Sequence, residues 1–201
     1  MMEPKNTMTI LEPLMDSMKN RKVFRFLHVP VQSGDDRILD LMNREYSAED
    51  FVTIRSRFRE NFPDSTLSTD IISGYHDEDT ETFENTVKLI EKTKPDIINI
   101  TRFSPRPYTA DFNSRTPETN LVKEWTKVYT EMHRQILHEK LASIVGKVEP
   151  LIITEKGKNN TWVGRDQAYR SVVVAGNLKL YSRVDAEIVD TGSTYLVGKV
   201  L

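Results

Sequence analysis

The chain has 201 residues with 28 basic and 30 acidic side chains, a net charge of −2, and this balance excludes a globally basic nucleic-acid binder while leaving room for a local patch. Cysteine is absent, which excludes disulfides and any thiolate-held metal or iron–sulfur cluster within these residues. No apolar run approaches membrane-spanning length and no signal segment opens the chain, so the expected location is cytoplasmic, with no membrane partner.

Apolar spacing predicts a short helix over Thr9 to Lys19 and a strand over residues 25 to 32 that runs into Gln32, Ser33 and Gly34. A helix follows over Asp35 to Asn43, with Ile38, Leu39 and Met42 on one face. Ser47, with Asp50 three residues on, reads as a capping box opening a helix to about Asn61. Pro63 and Asp64 break that helix before a strand over Thr66 to Ser73. An acidic loop, a helix from about Thr80 to Lys92 and Pro95 then lead to a third strand within Asp96 to Thr109. This βαβαβ order predicts a parallel sheet with crossover helices.

The strands end in polar, Gly or Pro residues, and their carboxyl ends are where ligands of α/β folds bind. Gln32 and Ser33 either cap the next helix or face a ligand. Asp70, inside an apolar strand, needs a partner; it either pairs with Arg106 or faces a ligand from the sheet. Arg106, between Pro105 and Pro107, sits on a stiff loop suited to holding an anion. His28 reads as a satisfied core histidine, and His76 has no companions at metal-ligand spacing. No metal ligands are expected.

Beyond a polar loop at residues 110 to 117, Glu118 to about Val145 reads as one long helix carrying Leu121, Trp125, Val128, Met132, Ile136 and Leu141. Gly146 ends it. Five short runs follow within residues 148 to 201, separated by turn signals, and predict a small OB-like β-barrel. The domain boundary is expected near Val145, giving domains 1–145 and 146–201. In the barrel, Trp162, Tyr169, Tyr181 and Tyr195 interleave with Lys158, Arg165, Arg170, Lys179 and Arg183, a mixture suited either to stacking on single-stranded RNA or, for the aromatics, to filling a small core.

His28, Pro30, Gln32, Ser33 and Gly34 make an H-x-P-x-Q-S-G signature, followed by Asp36, Leu39, Met42, Arg44 and Tyr46 as D-x-x-L-x-x-M-x-R-x-Y. Thr69 to Ile72 with Gly74 give T-D-I-I-x-G, and Ser104 to Pro107 give S-P-R-P. With these motifs the chain resembles the radical S-adenosylmethionine (SAM) methylthiotransferases, in particular their archaeal and eukaryotic branch acting on tRNA threonylcarbamoyladenosine.

The resemblance implies the second half of a partial (β/α)6 TIM-like barrel, strands four to six, followed by an RNA-binding TRAM barrel. It implies methylthiolation of C2 of N6-threonylcarbamoyladenosine beside the tRNA anticodon, with SAM and two [4Fe–4S] clusters as cofactors of the whole enzyme. Gln32, Ser33, Asp70 and Arg106 would line the SAM site, while Arg165 and Tyr169 would meet the anticodon stem-loop. On this resemblance Met1 to Pro4 match the end of a third strand and the cluster cysteines would precede Met1, so these residues alone are expected to be inactive. The strand edge at Phe26 to Val31 is then expected to lie bare and to drive self-association.

Two loops depart from the family pattern. Gly74 to Thr80 (GYHDEDT) stands for G-F-P-G-E-T, and Arg106 to Asp111 (RPYTAD) for R-P-G-T-P-A. Two other readings remain open: a stand-alone RNA-binding accessory protein without catalysis, and an interaction module of an unrelated α/β enzyme. Isopentenyladenosine as the substrate also remains open.

Overall fold

The structure, a computed structural model, describes residues 1–108, 112 and 114–201. Two prolines shape its start. Helix α1 (Pro4–Thr9) places Pro4 in the first turn, where a missing N–H costs nothing. Helix α2 (Leu11–Met18) has Pro13 in its own first turn, whose ring excludes a helical carbonyl at Thr9. The expected helix over Thr9 to Lys19 therefore starts at Leu11, and a second helix precedes it where a strand end was expected.

Strand β1 (Phe26–His28) pairs in parallel with β2 (Thr66–Ser73), which pairs in parallel with β3 (Ile97–Arg102), giving the order β1-β2-β3. Helices α3 (Asp36–Leu41) and α4 (Ala48–Asn61) link β1 to β2, and α5 (Thr80–Thr93) links β2 to β3. Both longer helices start with a reciprocal capping box, Ser47 with Asp50 and Asp79 with Thr82. The long helix α6 (Thr119–Ala142) follows β3. Leu27, Leu67, Ile71 and Ile98 of the sheet share one core with Leu11, Met15, Phe51, Ile54, Phe58, Leu89, Ile90, Trp125 and Tyr129 of the helices. Side chains alternate along a strand, so the intervening residues occupy the face that the helices leave open. Of the loop expected at 110 to 117, Ala110, Asp111 and Asn113 lie outside the described residues, as does Thr109 before it.

Strand β1 is shorter than its apolar run because Pro30 has no N–H to give the ladder. Val31 N–H turns instead to Thr69 Oγ1 at 3.0 Å, and pairing resumes in a single bridge from Gln32 to Ile71. His28 pairs with Ser68, so β1 spends four steps where β2 spends three, a bulge beside the candidate site.

Strand β1 is the edge of the sheet as expected, but its apolar side chains are not bare. Leu27, Val29 and Val31 are 4%, 0% and 1% exposed. They pack with Leu11, Met15 and Met18, while Met2 N–H donates to His28 O at 2.9 Å. Residues 1 to 20 cover the apolar side chains because α1 and α2 fold back onto α4 and the sheet.

The last quarter of the chain forms a closed barrel of β4 (Val148–Lys156), β5 (Thr161–Arg165), β6 (Ser171–Ala175), β8 (Leu196–Val200) and β7 (Arg183–Thr191), in that order around it. These are the five runs expected. Its core joins Leu151, Ile153, Val172, Val174, Ala186, Ile188 and Leu196 to Leu141 and Ile144 at the end of α6.

One turn, residues 166 to 170 between β5 and β6, docks the barrel onto the sheet's amino-terminal end. Arg25 N–H donates to Gln167 O at 2.8 Å, and Gln167 Nε2 donates to Val23 O at 2.6 Å. Arg170, 8% exposed, donates from its Nε to Asp166 and from Nη1 and Nη2 to Asp64 at 2.7 and 3.1 Å, with Glu149 at 3.9 Å. Burial alone would raise the Asp64 carboxyl, but Arg170's hydrogen bonds and charge outweigh it and hold the pKa below the ordinary value. Arg170→Ala would leave Asp166, which is fully buried, without its counter-charge. We expect a loss of roughly 3–5 kcal/mol in chemical denaturation, together with separate unfolding of barrel and sheet; an unchanged single transition would show that the ion cluster does not hold them together.

Candidate functional site

The open face of the sheet carries a polar band across all three strands. Asp70 Oδ1 meets His28 Nε2 at 2.9 Å and accepts from Asn99 Nδ2 at 2.8 Å. Asp70 and Asn99 are register partners on β2 and β3. Side chains of His28 and Asp70 are 21% and 25% exposed, so the carboxylate is held yet still reachable. Arg106, weighed from sequence as a partner for Asp70, is exposed in the loop after β3. His28 is satisfied as expected, but on this open face rather than in the core. Asn99 was not singled out from sequence, although Ile98-Asn99-Ile100-Thr101 alternates with the right parity to place it beside Asp70.

Gln32 sits at the bulge with φ 68°, its N–H donating to Asp70 O and its C=O accepting from Ile72 N–H, both at 2.9 Å. Left-handed backbone at a non-glycine residue carries strain. Ser33 is fully buried, and its Oγ accepts from Asp35 N–H at 3.2 Å. The helix cap is Asp35, which accepts from Ile38 N–H at 3.3 Å and from Asn85 Nδ2 at 2.8 Å. Ser33 therefore builds the turn, and Gln32 is the better placed of the two to meet a ligand. Gly34 is required by packing, since a Cβ there would lie 2.5 Å from Thr86 Cα.

The rebuilt loop after β2 closes around Glu78, which is 8% exposed and accepts the N–H groups of Gly74 and Tyr75. Gly74, at φ 82°, supplies the left-handed turn. His76 meets its neighbour Asp77 at 3.0 Å and packs at a tilt against Tyr75, ring centroids 4.3 Å apart. Burial, opposed by the two N–H donors and assisted by Asp35 and Asp79, raises the Glu78 pKa to about 7.

In the barrel, Arg165 lies over the Tyr169 ring at 4.7 Å and donates to Ser171 Oγ at 2.7 Å. Tyr169 also packs on Phe24 and Phe26 at 4.9 and 5.5 Å, so this ring serves the junction with the sheet. Arg170 is likewise structural. Trp162 packs against the barrel core, whereas Tyr181 is 78% exposed and offers the most open aromatic surface of the four.

Residues 3–90 match the Radical SAM superfamily and residues 142–201 match the TRAM domain. Each match covers less than half of the chain. Over 200 residues, all of this chain and 47% of the relative, it is 38% identical to a probable threonylcarbamoyladenosine tRNA methylthiotransferase of Archaeoglobus fulgidus. A threonylcarbamoyladenosine tRNA methylthiotransferase of Drosophila melanogaster is 34% identical over 204 residues, all of this chain and 36% of that protein. The chain thus spans about half the length, or less, of these curated relatives. Among solved structures, the radical SAM enzyme coproporphyrinogen III oxidase (HemN) of Escherichia coli is similar in fold, with TM-score 0.53, 19% identity and coverage of 67% of this chain and 31% of that one.

Among the described residues of the radical SAM segment and TRAM barrel, no group of three His, Cys, Asp or Glu side chains is placed to hold a metal ion. With no cysteine, these side chains do not fit a thiolate-held cluster. No helix among the described residues is long and apolar enough to cross a membrane.

The raised Glu78 pKa makes stability depend on pH. The unfolded chain loses this proton near 4.5 and the folded chain only near 7, so stability is full below about 4.5 and falls by up to roughly 3 kcal/mol as pH rises through 7. Glu78→Gln keeps an oxygen for both N–H donors and cannot ionise. Thermal midpoints should coincide for variant and parent near pH 4.5 and favour the variant at pH 8; parallel curves would mean that Glu78 ionises normally.

Proposed function

We propose that the chain is the carboxyl-terminal part of a tRNA methylthiotransferase that adds a methylthio group to C2 of N6-threonylcarbamoyladenosine next to the anticodon. Similarity along the whole chain to relatives bearing that name carries the reading. The polar band on the open face of a parallel sheet supports it, because it offers fixed hydrogen-bonding groups where a half-barrel would line a cavity. In this reading β1 to β3 are strands four to six of a partial (β/α)6 barrel, and the domains divide near Val145. The place of action is the cytoplasm.

Asp70, oriented by His28 and Asn99, accepts hydrogen bonds from SAM or the nucleoside. Gln32 contributes its amide at the bulge, and Arg106 holds a carboxylate anion, while Ser33 fixes the turn between them. SAM and two [4Fe–4S] clusters supply the radical and sulfur chemistry of the complete enzyme, and the side chains present here fit a share of the SAM wall only. The TRAM barrel holds the anticodon stem-loop through Arg165, with Tyr169 positioning that guanidinium. Any self-association uses the backbone edge of β1, since its apolar side chains are already covered.

Titration of the chain with a fluorescent anticodon stem-loop tests the RNA half of the proposal. Binding is expected at low salt, weakening roughly 20- to 40-fold over a fourfold rise in salt if about three phosphates are neutralised. Absence of binding at low salt would overturn it. Incubation with iron and sulfide should leave these residues colourless, and a stable brown species would contradict the assignment of both clusters to other residues.

A further inference from the structure

We propose that the cleft between the radical SAM segment and the TRAM barrel is a binding site for the RNA phosphate backbone, built by Arg21 and Phe24 on one side and Arg165 and Arg183 on the other. The cleft encloses about 280 Å³ and is floored by Pro150, Leu151 and Ile152. This volume, near the lower end of the usual range for ligand pockets, suits a phosphate with its sugar.

Strand register explains the concentration of charge. Ile152 pairs with Arg183 on β7 and with Arg165 on β5, and directly paired residues project from the same face of a sheet. Leu151 and Ile153 point into the barrel core, 1% and 0% exposed, so Ile152 and the two arginines flanking it face outward. Arg21 approaches from the loop after α2. Among the described residues neither Arg21 nor Arg183 has a side-chain hydrogen bond or ion pair, whereas Arg165 has Glu155 at 3.8 Å. Of the two carboxylates on the cleft wall, Asp166 is buried and bound to Arg170. Asp185 remains exposed. Three guanidiniums against Asp185 and the Glu155 partner of Arg165 leave one positive charge uncompensated at the cleft, and guanidinium is the side chain best matched to phosphate oxygens. Phe24 adds an aromatic wall.

The cleft lies by the start of β1, whereas Gln32 and Gly74 lie past the strands' carboxyl ends. The 8 residues of β2 correspond to about 25 Å at roughly 3.3 Å per residue. RNA would therefore be gripped at its backbone on one end of the sheet while its target base is presented at the other.

This inference rests on the RNA-binding reading above, and the test separates the two. Anisotropy titrations of the full 201-residue chain with an anticodon stem-loop and with whole tRNA would compare Arg21→Ala, Arg183→Ala and the double variant with the parent across salt. Each single variant should weaken tRNA binding about tenfold, as expected for a charge-assisted contact, and reduce the salt slope by about one. Arg183→Lys should keep the slope, and Lys127→Ala, an exposed charge on α6, should change nothing. Circular dichroism would confirm that the variants fold. Parent-like binding by the double variant, or equal weakening by Lys127→Ala, overturns the cleft while leaving RNA binding intact. If the parent chain binds no RNA, both readings fall.

Discussion

A buried guanidinium with carboxylates from both sides of the molecule sets the arrangement of everything else. Arg170 belongs to the barrel and Asp64 to the loop before β2, and the buried guanidinium is tolerated because Asp166 and Asp64 supply its counter-charge. Such a cluster contributes more to orientation than to net stability, because desolvation offsets much of the attraction. The same short turn also carries Gln167, hydrogen-bonded to residues 23 and 25, and Tyr169, packed on Phe24 and Phe26. Polar, ionic and aromatic contacts thus converge within five residues. A second buried carboxylate, Asp96, accepts from Leu67 N–H at 2.7 Å and pairs with Arg59, while Lys140 of α6 approaches at 3.7 Å, so the helix leading into the barrel is tied to the same end of the sheet.

That docking leaves the carboxyl ends of the strands clear. The helices cover one face, the barrel sits at the amino-terminal end, and the polar band of His28, Asp70 and Asn99 is left on the open face. A partly exposed carboxylate with two oriented donors is a fixed acceptor that loses little freedom on meeting a ligand. The bulge created by Pro30 then carries the chain across to Gln32, whose strained backbone is held by hydrogen bonds to β2 on both sides. Gly34 and Asp35 lock the following turn onto α5. Position at the site's mouth is thereby determined by packing at its rear.

Much of the fold was legible in the sequence. The strand over Thr66 to Ser73, the capping box at Ser47 and the five barrel strands follow from local signals: β-branched runs, a Ser-Asp spacing and Gly or Asn turns. The motifs around Gln32 and Asp70 located strand ends and lie within the segment that matches the Radical SAM superfamily. These features depend on a few neighbouring residues, so a linear reading captures them.

Partner choice was not legible. Nothing within the Thr69 to Ile72 stretch says that Asp70 meets His28 and Asn99, because the three come together only after two crossovers set the register. The burial of Leu27, Val29 and Val31 depends on α1 and α2 folding back, and the use of Tyr169 at the junction depends on where the barrel docks. Local propensity and spacing determined the elements and the strand ends that carry the chemistry; tertiary structure alone decided which charges pair and which remain open, since side chains such as those of Asp70 and His28, or Asp64 and Arg170, are far apart in the chain and interact only once it has closed around them.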